Sequence, residues 1–164
     1  MPERVHLPAQ AESRPEFPTS GEPAPTLARS ALMAKVRSVN TKPELAVRRA
    51  LHAAGRRFRL HRRDLPGCPD IVLPRHRLAV FVHGCFWHRH SNCRHASTPK
   101  TRAAYWRDKF TTNVARDGLN EARLRELGWT VATIWECETR NQARLDGFLA
   151  ALFDRSNDIR TDEL

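Results

Sequence analysis

Between His83 and Cys93 the chain reads His-Gly-Cys-Phe-Trp-His-Arg-His-Ser-Asn-Cys, with three imidazoles, two thiols and two large aromatic rings in eleven residues. Cys85, His90 and Cys93 are spaced C-x4-H-x2-C, compact enough to wrap one tetrahedral ion, and Cys137 can complete a Cys3His set from afar. Closed four-ligand sites of this kind hold Zn²⁺ for structure and tie loops together. His83 and His88 are left over from that set. A histidine, whose ordinary pKa lies near neutrality, suits general-base work on water. Cys68 reads as an idle or buried thiol.

A second kind of chemistry is expected at Asp70. Two short apolar runs, Ile71-Val72-Leu73 and Leu78-Ala79-Val80-Phe81-Val82, flank Pro74-Arg75-His76-Arg77, which reads as a tight turn. The pattern predicts a β-hairpin. With the turn centred on His76, Asp70 stands opposite Val82, and His83 is next along. A hard cation such as Mg²⁺ needs only one or two protein carboxylates, completed by carbonyl oxygen, water and phosphate. Asp70 would give the carboxylate and Val82 its backbone carbonyl. The plainer alternative makes Asp70 a residue that caps a backbone N–H after Pro69.

Phe86 and Trp87 are adjacent aromatics in a polar, basic loop. They either anchor that loop in the core or enter a base step of DNA as apolar wedges. Trp106 lies among Arg102, Arg107 and Lys109, whereas Trp129 and Trp135 sit in a strand pattern and read as core. The whole chain of 164 residues carries 28 Lys+Arg against 18 Asp+Glu, a net charge of +10. Such an excess attracts a polyanion, nucleic acid first. No apolar run approaches the roughly 20 residues that span a bilayer, and the N-terminus lacks the order of a secretory signal. In a chain read as not exported, thiolate–metal bonding outranks disulfides.

The elements that must position these groups follow from local signals. Residues 1–28 hold Pro2, Pro8, Pro15, Pro18, Pro23 and Pro25 with few large apolar residues, and are expected to be a disordered arm. Thr41-Lys42-Pro43-Glu44 fits a capping box, Thr41 as N-cap and Glu44 at N3, for a helix that stops near Gly55. Phe58 and Leu60 alternate with Arg as in a half-exposed strand. Residues 101–110 and 111–127 read as two helical segments, 129–135 as a strand, and 140–153 as a last helix. The expected fold is α/β, a mixed β-sheet flanked by helices, with one folded domain over 29–155 and a flexible tail over 156–164.

Longer strings carry a resemblance. Leu65-Pro66-Gly67-Cys68-Pro69-Asp70, Phe81-Val82-His83-Gly84-Cys85-Phe86-Trp87-His88, Tyr105-Trp106, Asn113-Val114-Ala115-Arg116-Asp117, Leu127-Gly128-Trp129 and Trp135-Glu136-Cys137 resemble the very-short-patch repair (Vsr) mismatch endonucleases of bacteria. The resemblance covers about Arg29 to Arg140. It implies a restriction-endonuclease-like fold with a structural zinc site. The implied reaction is a Mg²⁺-dependent nick on the 5′ side of the mispaired thymine of a T·G mismatch left by 5-methylcytosine deamination. It implies Mg²⁺ on Asp70 and the Val82 carbonyl, and His88, His83 and Glu44 as active-site residues. Zn²⁺ falls on Cys85, His90, Cys93 and Cys137. Phe86, Trp87 and Trp106 match the inserting aromatics, with Met33, Lys109 and Asn113 near the mismatch. Implied partners are mismatched double-stranded DNA, a cytosine-5 methyltransferase and a repair polymerase, for a monomer in the bacterial cytoplasm at the nucleoid.

Three departures from the family pattern stand out. Val82 replaces a frequent Thr, and Cys68 replaces a more usual Arg. One extra residue separates His90 from Cys93, which leaves His88 and His95 as alternative zinc histidines. The rival readings are a zinc-supported module that recognises lesions without cutting, and a plain restriction endonuclease. The latter is weakened because no acidic-x-Lys follows Asp70.

Overall fold

The computed structural model describes residues 38–158. The expected arm over 1–28 and Met33 lie outside the described residues, as does the end of the expected tail. Helix α1 spans Lys42–Ala53 and opens on the capping box: the Thr41 side chain accepts from the Glu44 N–H, and Glu44 reaches back to the Thr41 N–H. It stops before Gly55, whose φ of +68 suits the left-handed turn that glycine adopts without strain. Strand β1 is only Arg59–Leu60 and is exposed. β2 is Ile71–Leu73 and β3 is Leu78–His83, joined by a 3-10 turn over Pro74–His76.

The hairpin forms, one residue out of the expected register. Ile71 pairs with Val80, Val72 with Ala79 and Leu73 with Leu78. The turn therefore centres between Arg75 and His76, and continuing the ladder sets Asp70 opposite Phe81, not Val82. Left-handed Arg77, with φ 44, closes the tight turn and fixes that count.

Helix α2 runs unbroken over Ala103–Glu126, where two segments were expected. Thr111 and Thr112 do not break it, because their hydroxyls donate to the carbonyls of Arg107 and Asp108 one turn back. β4 covers Thr130–Trp135 and pairs in parallel with β3, from Leu78↔Thr130 to His83↔Trp135. A 3-10 turn over Glu138–Arg140 leads to α3, Gln142–Asp158. The Asn141 side chain accepts from the Arg144 N–H there, so α3 starts two residues later than expected and runs past Phe153.

The result is a four-stranded mixed sheet, order β1-β2-β3-β4, flanked by helices. Alternation along the strands sends side chains to both faces. Ile71, Leu73, Leu78, Val80, Ala132 and Ile134 pack with Val47 and Leu51 of α1 and Leu145, Leu149 and Phe153 of α3. Val72, Ala79 and Phe81 pack on the opposite face with Leu65 and with Leu124 of α2. Covering both faces explains why β2 and β3 read as continuous apolar runs. Trp129 joins the second cluster as a partly buried member; Trp135, expected in the core, belongs to neither cluster and is half-buried. No helix of the described residues is long and apolar enough to cross a membrane.

Candidate active site

Parallel strands leave a crevice beyond their carboxyl ends, and the chain places its reactive groups there. His83 ends β3 beside Trp135, which ends β4. The Leu65–Asp70 loop reaches the same place from the start of β2. Leu65 and Pro69 are buried and the Cys68 N–H donates to the Leu65 carbonyl at 3.0 Å. Gly67 has φ +71, and a Cβ there would stand 2.9 Å from the Asn120 side chain of α2. Glycine thus lets the loop lie against α2 and aim Asp70 inward. The cleft encloses about 980 Å³ and is lined by Glu44, Asp70, Val82, His83, Trp87, His88, Asn113 and Asp117 among others.

Asp70 stands on the hairpin as expected, through a different contact. Its Oδ2 accepts the Val82 N–H at 2.8 Å. Burial raises its pKa first of all; that N–H pulls the other way, and the nearby Glu44 carboxylate adds to the rise. Glu44 is 2% exposed. Its carboxylate accepts from the N–H groups of Asn40 and Thr41, from the Thr41 hydroxyl and from Arg48 at 2.7 Å. It therefore caps α1 and also faces the cleft. His61, which the sequence did not single out, stands between the two carboxylates. Its Nδ1 is 4.0 Å from Asp70 Oδ1 and its Nε2 is 3.7 Å from Glu44 Oε2. A guanidinium only donates, so Arg48 at 3.0 Å makes that Nε2 an acceptor. Glu44, His61 and Asp70 form a group able to hold a cation.

Across the cleft His83 and His88 stack at 3.9 Å, 10° from parallel. Burial, then the neighbouring His88, pushes the His83 pKa down to about 4. The Gly84 carbonyl accepts from the N–H groups of both Trp87 and His88, winding the loop into a turn that presents His88 to α2. There His88 Nδ1 meets Asp117 Oδ2 at 2.5 Å. Burial would raise the Asp117 pKa, but the bond and charge of His88 prevail and hold it low. An ionised carboxylate only accepts, so Nδ1 carries a proton, and in the neutral ring Nε2 is then the atom with the lone pair. Asp117 was missed as a site residue although it stands four residues after Asn113, on the face of α2 that buries Trp106, Phe110 and Asn113. That period was the available signal.

Cys85, His90, Cys93 and Cys137 converge, their ligand atoms all within 4.8 Å of one another. His90 Nδ1 lies 3.7 Å from Cys85 Sγ and 3.3 Å from Cys137 Sγ. Neither His88, turned to Asp117, nor His95 is in this group. Burial pushes the Cys85 thiol up to about 12 and raises Cys137 too, while the His95 N–H first of all lowers Cys93. Thiols whose pKa is raised in this way, buried Cys85 and half-buried Cys137, become thiolates most readily beside a metal's charge. The donor set, three sulfurs and one imidazole nitrogen, fits a metal of the Zn²⁺ kind.

Of the expected DNA contacts, Trp87 and Asn113 line the cleft, and the Asn113 amide donates to the Trp87 carbonyl at 3.1 Å. Phe86 meets Trp87, Trp106 and Phe110 edge to face, at 5.0–5.4 Å. Trp106 is 9% exposed, so in this conformation it is an anchor of the cluster. Lys109 is half-buried on α2 and does not line the cleft.

Comparison with known proteins matches residues 25–95 to a family described as "DNA mismatch endonuclease Vsr". Type II nicking enzyme V.XorIIP of Xanthomonas oryzae is 54% identical over 125 residues, which is 76% of this chain and 91% of that protein. Type II nicking enzyme V.NmeAIP of Neisseria meningitidis is 43% identical, over 72% of this chain and 84% of its own length. DNA mismatch endonuclease Vsr of Escherichia coli is 39% identical, over 71% of this chain and 74% of its own.

Proposed function

Because the chain belongs to the Vsr family of DNA mismatch endonucleases, we propose that its cleft nicks one strand 5′ to the mispaired thymine of a T·G mismatch, with Mg²⁺ bound at Asp70. The chain is a DNA endonuclease of mismatch repair, a phosphodiester hydrolase; the mispair and the metal are the finer reading. The observation that carries it is the facing of two unlike groups across one cleft, half-buried Asp70 and the His88–Asp117 pair.

The donors at Asp70 fit a hard cation. In an extended strand the N–H and C=O of one residue point to the same edge. The Val82 N–H points at Asp70, so its carbonyl opens to the same side. Asp70 and that carbonyl give two oxygens, and Glu44 stands by as a second carboxylate, here engaged by Arg48. Mg²⁺ asks for one or two carboxylates and takes the rest from water and phosphate. When bound, it supplies electrostatic stabilisation of the charge on the phosphate.

The chain's own residues do the remainder. His88 Nε2 takes the proton of the attacking water, while Asp117 fixes the tautomer and balances the charge that His88 gains. His83 backs the His88 ring. Asn113 holds the loop carbonyl at Trp87. Trp87, which lines the cleft, leads the apolar wedge, with Phe86 and Trp106 packed behind it as its support, and unstacking costs least at a mispaired step. Met33 and Lys109 are carried over from the resemblance alone, as positions near the mismatch. Cys85, His90, Cys93 and Cys137 hold one structural Zn²⁺, in a restriction-endonuclease-like fold. The wider setting is a monomer at a bacterial nucleoid, downstream of a cytosine-5 methyltransferase and upstream of a repair polymerase.

The test is nicking of end-labelled T·G and matched duplexes with and without Mg²⁺. A T·G-selective, Mg²⁺-dependent nick supports the reading. Binding without nicking points to a recognition module, and equal cutting of matched duplex points to a plain restriction enzyme.

A further inference from the structure

A large strand residue ordinarily works in the core. Trp135 does not: it joins neither apolar cluster. It does not line the cleft either. Its ring contacts are with two histidines that belong to different sites. The indole lies flat on His90, 4.3 Å away and 4° from parallel. It meets His83 edge to face at 5.5 Å and 71°. His83 in turn stacks flat on His88, and His88 is bound to Asp117. One unbroken row of rings therefore joins the Cys3His corner to the histidine that faces the cleft.

The backbone fixes the middle of that row. Parallel register pairs His83 with Trp135. The Glu136 N–H donates to the His83 carbonyl at 2.9 Å, and the Trp135 N–H donates to the Glu138 carboxylate at 2.8 Å. Trp135 is thus held at both its main chain and its ring. His83 shares that register, so what the sheet leaves open is the setting of its ring, and His88 follows in a loop.

We infer that Trp135 is a positioning residue, the spacer through which the His90 corner sets the place of His83 and so of His88. The inference rests on the reading of His88 as the acting base and of the Cys3His group as a metal site. It adds that this group does more than hold loops together: it sets the turnover rate through a ring contact. Misplacing an acting group by about 1 Å can cost about 10²-fold in rate, and removal of the indole opens a gap wider than that beside His83.

Wild-type protein is first assayed for bound zinc and for nicking; failure of either refutes the reading of the sites, separately from this inference. Trp135→Leu should keep its zinc and its T·G affinity while kcat falls about 10²-fold. Trp135→Phe, which restores a flat ring, should return to within about tenfold of wild type. The imidazole proton resonances of His83 and His88 should shift in the Leu variant, since the indole no longer sits beside them. His90→Cys decides the case if the Leu variant does not fold. Four thiolates still close a structural zinc site, but the ring under Trp135 is gone, so zinc should stay and kcat should fall. The inference is overturned if either variant keeps zinc and nicks at the wild-type rate, or if the histidine resonances stay in place. It is equally overturned if T·G affinity falls in step with kcat, or if both variants lose zinc.

Discussion

Replacing Asp117 by asparagine leaves the shape of the side chain and removes its charge from a contact only 2.5 Å long. The two partners are 22% and 17% exposed, so water reaches the pair but does not dominate it. A hydrogen bond to a charged group contributes about 1.5–3 kcal/mol, which at 1.36 kcal/mol per decade is about 10–150-fold in rate. Partial exposure favours the lower half of that range if the amide oxygen takes the place of the carboxylate oxygen. If the amide N–H turns to His88 instead, Nδ1 must accept, and the proton moves to Nε2, the atom that has to receive one from water. The loss then approaches that of deleting a general base, about 10²–10⁴-fold. Single-turnover nicking of a labelled T·G duplex at saturating protein, beside anisotropy measurement of binding, separates rate from affinity. Asp117→Asn should lower the rate and leave affinity near wild type, and His88→Ala should add little on top of it, because the two act as one unit. A variant that nicks as fast as wild type, or one whose affinity falls as far as its rate, would refute the assignment.

Asp70→Ala should abolish nicking with T·G binding nearly intact, because it deletes a metal ligand and no recognition group; nicking at the wild-type rate would place the metal elsewhere. Purified protein should hold about one zinc, and Cys137→Ala and His90→Ala should each lose it and melt lower, since metal-binding free energy is folding free energy. His88→Ala should keep its zinc, and elemental analysis that reversed the two histidines would overturn the ligand set. Trp87→Ala should weaken binding to T·G duplex more than to matched duplex, as titrations of both would report, with equal loss on the two counting against a wedge. Trp106→Ala, with a ring only 9% exposed, should instead destabilise the fold by about 3–5 kcal/mol, measured by denaturant unfolding.

What the sequence settled by itself was local or densely spaced. The capping box of Thr41 and Glu44 lies within one turn, so its hydrogen bonds need no partner from elsewhere, and α1 begins where those residues say. The hairpin is a nearest-neighbour contact too, though its register depended on one left-handed residue, Arg77, and came out a position away from the expected one. Cys85, His90 and Cys93 sit close enough in the chain to announce a metal corner. Spacing alone left His88 and His95 open as substitutes, and only the turn at Gly84 and the pull of Asp117 sent His88 away from it. Asp117 and His61 were passed over for a different reason. A carboxylate on a polar helix and a histidine among arginines look like ordinary surface until α2 is laid across β3 and the Leu60↔Ile71 pairing brings His61 to Asp70. Trp135 was misread on the same ground: strand alternation says which way a side chain points, not what waits there. The parallel register of β3 and β4, formed across the long α2 crossover, put His83 and His90 around it. Chemistry that lies within one turn or one hairpin is written in the order of residues, whereas chemistry assembled across a crossover exists only once burial of the two sheet faces has fixed where the helices lie.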